Sequence, residues 1–170
     1  MTEQSGSGSV TGSHTYTVAG VYTITLTVTD PVGNSGRSVY QYVVVYNPDG
    51  GFVTGGGWIT SPLGAYRPDP TLTGKAIFGF NSKYKNGATV PTGQTQFDFH
   101  AGGLNFHSES YEWLVISGAK ARYKGSGAIN GADDYGFILI AIDGQVNGGG
   151  GVDEFRIKIP FTLHKRRRMA

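Results

Sequence analysis

The sequence predicts an all-β fold: an antiparallel, Gly-rich sandwich or partly closed barrel, preceded by a separate two-stranded hairpin. Three observations predict it. Apolar residues recur at every second position in most apolar stretches, the period of a strand with one buried face. Glycine supplies 28 of the 170 residues, more than twice the usual ~7%, and it gathers between those stretches as turns do. No stretch carries a convincing 3.6-residue repeat, which an amphipathic helix needs. The length suits one ordinary domain or two small ones with a real core, and ten Tyr with nine Phe argue against a disordered chain.

The elements follow in order. Residues 1–12 are polar and lack the apolar core of a secretory signal, so they read as a disordered N-terminus, with any export signal expected upstream. Val21 to Thr29 sets Tyr22, Ile24, Leu26 and Val28 on one face and Thr23, Thr25, Thr27 and Thr29 on the other, a half-buried strand of β-branched residues. Asp30 to Gly36 is turn chemistry. Ser38 to Tyr46 is a second strand, with Val39, Val43 and Val45 alternating against Tyr40, Tyr42, Val44 and Tyr46. Residues 47–51, Asn-Pro-Asp-Gly-Gly, read as a linker. Beyond it, strands are expected at Phe52–Ile59, Ala76–Phe80, Gln94–His100, Leu104–Ser108, Tyr111–Ser117, Ala119–Tyr123, Tyr135–Asp143 and Asp153–Ile159. Tyr135 to Ile142 is apolar on both faces, so it should be a central strand. Asp153, Phe155, Ile157 and Ile159 alternate with Glu154, Arg156 and Lys158, which gives that strand one solvated face.

The hairpin carries His14-Thr15-Tyr16, Ala19-Gly20-Val21-Tyr22 and Thr27-Val28-Thr29-Asp30 in that order. Over residues 13–46 it resembles the end of a PKD domain, an immunoglobulin-like β-sandwich of extracellular proteins. The resemblance implies an incomplete immunoglobulin-like hairpin, since the earlier strands of such a sandwich are missing. A two-stranded hairpin is marginal alone, so it is expected to pack on the rest of the chain, pair with another copy or move freely. Residues 52–159 resemble the post-COAP domain of bacterial surface and secreted proteins. The residues concerned are Val53 to Ile59, Phe78 to Lys85, Leu104 to Ser108, Tyr123 to Gly127 and Asp153 to Ile159. Together the resemblances imply an extracellular or cell-surface parent protein. At Pro160 the expected last strand gives way to a basic tail, residues 160–170, read as disordered, which leaves an edge strand unprotected.

Composition excludes several classes. Without Cys there is no disulfide framework, thiol nucleophile or Cys-ligated metal. The formal net charge is +2, but Lys165, Arg166, Arg167 and Arg168 contribute +4; the remainder is 10 basic against 12 acidic residues, or −2. Nothing basic spreads over the body, so nucleic acid is rejected as a main partner. No apolar run approaches the ~20 residues of a membrane helix, so membrane insertion is not expected. His-Glu-x-x-His and Gly-x-Ser-x-Gly are absent, and Gly55-Gly56-Gly57 leads into no helix, so it is no phosphate loop.

Two constellations carry chemistry. In the loop from Asp143 to Glu154, oxygen donors stand at Asp143, Gln145 and Asn147, then a glycine run, then Asp153 and Glu154. Such a set suits Ca²⁺, which takes ~6–8 oxygens with loose geometry; the competing reading is a long hairpin turn. Asp133 and Asp134 either complete that site or are simply solvated. The second constellation is the hairpin around Gly102-Gly103. A two-residue loop pairs Ala101 with Leu104, Phe99 with Phe106, His100 with Asn105 and Asp98 with His107, placing Asp98, His100, Asn105 and His107 on one polar face with Glu109 further along. That face is read first as a hydrogen-bonded solvent patch, and second as a Zn²⁺ site of Asp98, His100 and His107 for a small metal-dependent hydrolase, such as a lactonase, acting on esters or lactones. Trp58, Tyr66, Tyr111, Trp113 and Tyr123 read as core before they read as a carbohydrate platform. The leading functional reading is a non-catalytic accessory or binding module stabilised by Ca²⁺, with a carbohydrate or protein ligand. The hydrolase comes second and a carbohydrate-binding module third.

Overall fold

The computed structural model describes residues 2–4, 7–47, 49 and 51–160; the basic run from Lys165 to Arg168 lies outside them. Strands β1 (Thr2–Gln4) and β2 (Ser7–Ser9) form a short antiparallel pair, and β3 (Gly20–Thr29) pairs antiparallel with β4 (Ser35–Val45). The main body is a seven-stranded sheet of β5 (Phe52–Ser61), β6 (Gly74–Lys83), β7 (Thr92–Phe99), β8 (Leu104–Ser117), β9 (Lys120–Ile129), β10 (Ala132–Ile142) and β11 (Glu154–Lys158). Its strands lie in chain order, each antiparallel to the next. The sheet curls into a half-barrel, which meets the expected all-β, partly closed class. The region around Tyr135–Ile142, expected as a central strand, lies between β9 and β11, one strand in from the edge of the sheet.

Turn chemistry sets the meander. Asn130 and Gly131 both take positive φ, +52° and +79°, the geometry of a two-residue turn that matches strand twist. The Asn130 side chain then clasps a second turn: its Oδ1 accepts from Asn105 N at 2.9 Å and its Nδ2 donates to Gly103 O at 2.8 Å. Leu104–Ser108 and Tyr111–Ser117, expected as two strands, are one strand, β8. Two bulges, between Ser108 and Ser110 and between Tyr111 and Trp113, take up Glu109 and Glu112 as extra residues. Each bulge shifts the alternation by one, so Leu104, Phe106, Tyr111 and Leu114 all reach the interior.

The core is the concave face. Phe80, Phe99, Phe106, Tyr123, Phe137 and Leu139 fill it, each worth about 1.5–3 kcal/mol of apolar burial. Phe155 of β11 crosses the interior to stack on Phe78 of β6, ring centroids 3.7 Å apart and 7° from parallel. One polar network sits inside. Thr95 Oγ1 bonds both Tyr111 and Tyr123 hydroxyls, at 2.9 and 2.8 Å; Ser108 Oγ bonds the Tyr111 hydroxyl and accepts from Thr95 N. Burial pushes the Tyr123 hydroxyl far above the ordinary tyrosine range, and raises Tyr84 and Tyr111 as well. Ser82 Oγ, also buried, has no hydrogen-bond partner among the described residues.

The hairpin packs by its base only. Trp113 and Val115 turn to the outer face of β8 yet are 8% and 4% exposed, because β3 and β4 rest there. Tyr46 stacks on Tyr84, centroids 4.8 Å apart. Towards its tip, Ile24, Leu26, Val28 and Val39 are exposed. A bulge between Tyr22 and Ile24 in the register inserts an extra residue in β4, with Tyr42 at φ +64°. Simple alternation therefore fails here: Val39 and Val43 stand on opposite faces. The turn closes on Asp30, whose carboxylate accepts from Val32 N, Asn34 N and Asn34 Nδ2; the Asn34 amide leads in holding its pKa below the usual range.

Candidate binding cleft

Seven strands in an up-and-down meander leave β5 and β11 at opposite edges, running in the same direction. Among the described residues neither has a second neighbour, so each presents a row of free backbone donors and acceptors. The curl brings these two edges to face each other across one cleft of about 630 Å³. Its floor is apolar: Phe78, Phe80, Ile116, Ala121, Ala141 and Phe155. On β5, Gly55 and Gly57 face inward opposite Phe80 and Phe78. The Phe80 ring takes the place of a side chain at Gly55, while the position beside Phe78 at Gly57 is left open. Its rim is the turn after β8 and the loop from Asp143 to Asp153, with Lys120, Asp143, Asp153 and Glu154 as charged groups. Volume and apolar lining fall within the range of small-molecule and peptide sites.

The Asp143–Glu154 loop is a hairpin connection whose carboxylates brace its neck. Asp153 Oδ1 accepts from Gly144 N at 2.8 Å, and Asp143 Oδ1 accepts from Gln145 N at 2.9 Å. Gln145 and Asn147 are exposed on the loop, and Glu154 opens β11. Asp133 and Asp134 belong to the start of β10, in a different turn. Among the described residues no group of three or more His, Asp or Glu side chains is arranged to hold a metal.

The polar face around Gly102-Gly103 differs from its expected register. Phe99 pairs with Leu104, Asp98 with Asn105, Phe97 with Phe106 and Gln96 with His107. The connection is four residues long, a 3₁₀ turn at His100–Gly102 closed by Gly103 at φ +58°. His100 thereby leaves the strand face and stands fully exposed at the turn, its Nδ1 3.9 Å from Asp98 Oδ1. His107 sits two positions along the outer face, opposite Gln96 rather than Asp98. Asp98 also receives Asn105 Nδ2 at a long 3.4 Å. The three proposed ligands are a loose surface row.

The aromatics divide as core first. Tyr111 and Tyr123 are inside, Trp113 is covered by the hairpin, and the Tyr66 hydroxyl donates to Gly102 O at 2.9 Å. Trp58 is the exception, 62% exposed on the outer side of β5 with Lys75 Nζ 5.2 Å over its ring. It is one exposed ring, with Phe52 six residues back on the same edge strand, and not a row. The cleft itself was legible only in part. The period-two pairing of Gly55 and Gly57 with aromatic positions of the next strand signals missing volume, but nothing local in the sequence says that β5 and β11 meet.

Fold and site together define a class: an open-edged antiparallel half-barrel with an apolar cleft between its edges and a hairpin docked on its outer face. No protein-family model matches the chain, and no curated protein or solved structure matches it either.

Proposed function

We propose that this protein is a non-catalytic binding module of a bacterial extracellular protein, and that the cleft between β5 and β11 is where it binds. The observation that carries the proposal is the apolar cleft of about 630 Å³ floored by Phe78, Phe80 and Phe155. The extracellular setting is supported by the resemblances of residues 13–46 and 52–159. In the hairpin, the Tyr22 hydroxyl donates to Val18 O at 2.7 Å, the bond of a tyrosine corner in immunoglobulin-like sandwiches. The test is titration with an environment-sensitive apolar dye. Gly57→Leu places a side chain in the cleft, and its Cβ meets Phe78 at an ordinary 3.6 Å. Saturable dye binding lost in Gly57→Leu, with the melting temperature kept, is the expected outcome; equal binding by both proteins contradicts it.

Calcium is part of the proposal, as a brace for the 143–154 rim. What supports it is the oxygen donor set of Asp143, Gln145, Asn147, Asp153 and Glu154, with Asp143 and Asp153 at the neck of the same loop. A ligand that binds only the folded state raises the melting temperature by mass action. The protein should therefore melt higher in Ca²⁺ than in EDTA, and Asp143→Asn should erase the difference. Superimposable melts in the two buffers contradict the calcium role.

A further inference from the structure

The two edges of the half-barrel are matched to one kind of occupant. β5 and β11 run in the same direction, so a single extended segment running the opposite way is antiparallel to both and turns seven strands into a closed eight-stranded barrel. Closure removes both free edges at once. The cleft already separates these edges, and its floor is the apolar inner face on which alternate residues of such a segment would rest. On the outer face β11 supplies a polarised row: Glu154, then Arg156, then Lys158. The rim beside Glu154 adds Asp143 and Asp153.

Resting on the reading of the cleft as the binding site, the geometry points to a polypeptide strand of a partner protein as the ligand, inserted between β5 and β11 by β-augmentation. Opposite charges favour each other across a strand pair and like charges oppose each other. The strand therefore carries acidic outward residues in its N-terminal half, opposite Lys158 and Arg156. It carries a basic one towards its C-terminal end, opposite Glu154 and the acidic rim. Its inward residues, between these, are apolar and meet Ile157 and Phe155 on one side and the glycines of β5 on the other. After Pro160, Phe161 and Leu163 alternate with Thr162 and His164, but no acidic residue follows. Lys165 to Arg168 would set consecutive cations on both faces, beside Arg156 and Lys158 outside and among aromatic rings inside.

The experiment uses the full chain and two synthetic peptides, Thr-Glu-Val-Glu-Val-Lys-Thr and its charge-swapped form Thr-Lys-Val-Lys-Val-Glu-Thr. Binding is read by calorimetry and by amide hydrogen exchange. The first peptide should bind and protect amides of both β5 and β11, with the swapped peptide about five-fold weaker or more. Arg156→Glu with Lys158→Glu should reverse that order, and Gly57→Leu should bind neither. Equal binding of both peptides, or protection of only one edge, overturns the proposal. Dye binding in the cleft without any peptide binding overturns the strand and leaves the cleft reading intact. Concentration-dependent self-association that alone protects the edges also overturns it, and makes a second copy the occupant.

Discussion

At the scale of single residues, the interior tyrosines report the fold most directly. Tyr123 is fully buried and Tyr111 nearly so, and both share Thr95 Oγ1. Their phenolates are disfavoured in the folded state, so their pKa values lie above the ~10 of an unfolded tyrosine. Stability from these groups is fully present below ~pH 10 and falls as the pH rises beyond it, because the unfolded chain gives up those protons first. A phenolate absorbance titration should therefore show a first step in which Tyr111 and Tyr123 take no part. A second, cooperative step should follow that coincides with loss of structure. One smooth titration of all ten tyrosines near pH 10, with the fold intact, contradicts the buried network. The sequence marked Tyr111 and Tyr123 as core because aromatics usually fill a β-core, but not the hydroxyl network, since Thr95, Ser108 and Tyr111 meet only once β7 and β8 are in register.

At the scale of elements, alternation was a good guide wherever a strand is regular and a poor one wherever a bulge intervenes. β10 and β11 have the expected faces. β8 was split in two at Glu109-Ser110, although Glu109, like Glu112, is a bulged residue inside one continuous strand. The same blindness put Val39 and Val43 on one face across the Tyr42 bulge, where the structure has them on opposite faces, and placed His100 on a strand face when it belongs to a four-residue turn. Bulges need close backbone approach, and Gly125 supplies it: a Cβ there would collide with the carbonyl of Ser110 and press on the Phe137 ring. Gly125→Ala should cost about 3 kcal/mol, while Gly79→Ala, where a Cβ meets nothing within 4 Å, should stay within about 0.5 kcal/mol of wild type. Denaturant melts of the two variants measure this. Equal stabilities would contradict the tight β8–β9 approach at the second bulge.

At the scale of the whole molecule, the all-β class and the division into a hairpin and a glycine-rich body were readable from composition and period. Which strands meet at the seam was not. Strand order, the sense of the curl and the meeting of Phe155 with Phe78 arise from long-range pairing, which no local window contains. The hairpin's docking is of the same kind: Trp113 looks like a core residue in sequence and is buried, but beneath β3 and β4 on the outer face. The central claim is that this is a barrel left open along one seam, with β5 and β11 facing each other unpaired. Residue-resolved amide hydrogen exchange on the free chain tests it. Amides of β6 to β10 should be protected throughout, while every second amide along β5 and β11 exchanges quickly, as open edges do. Full protection along both edges in the free chain would mean that the seam is already closed, and would contradict the account.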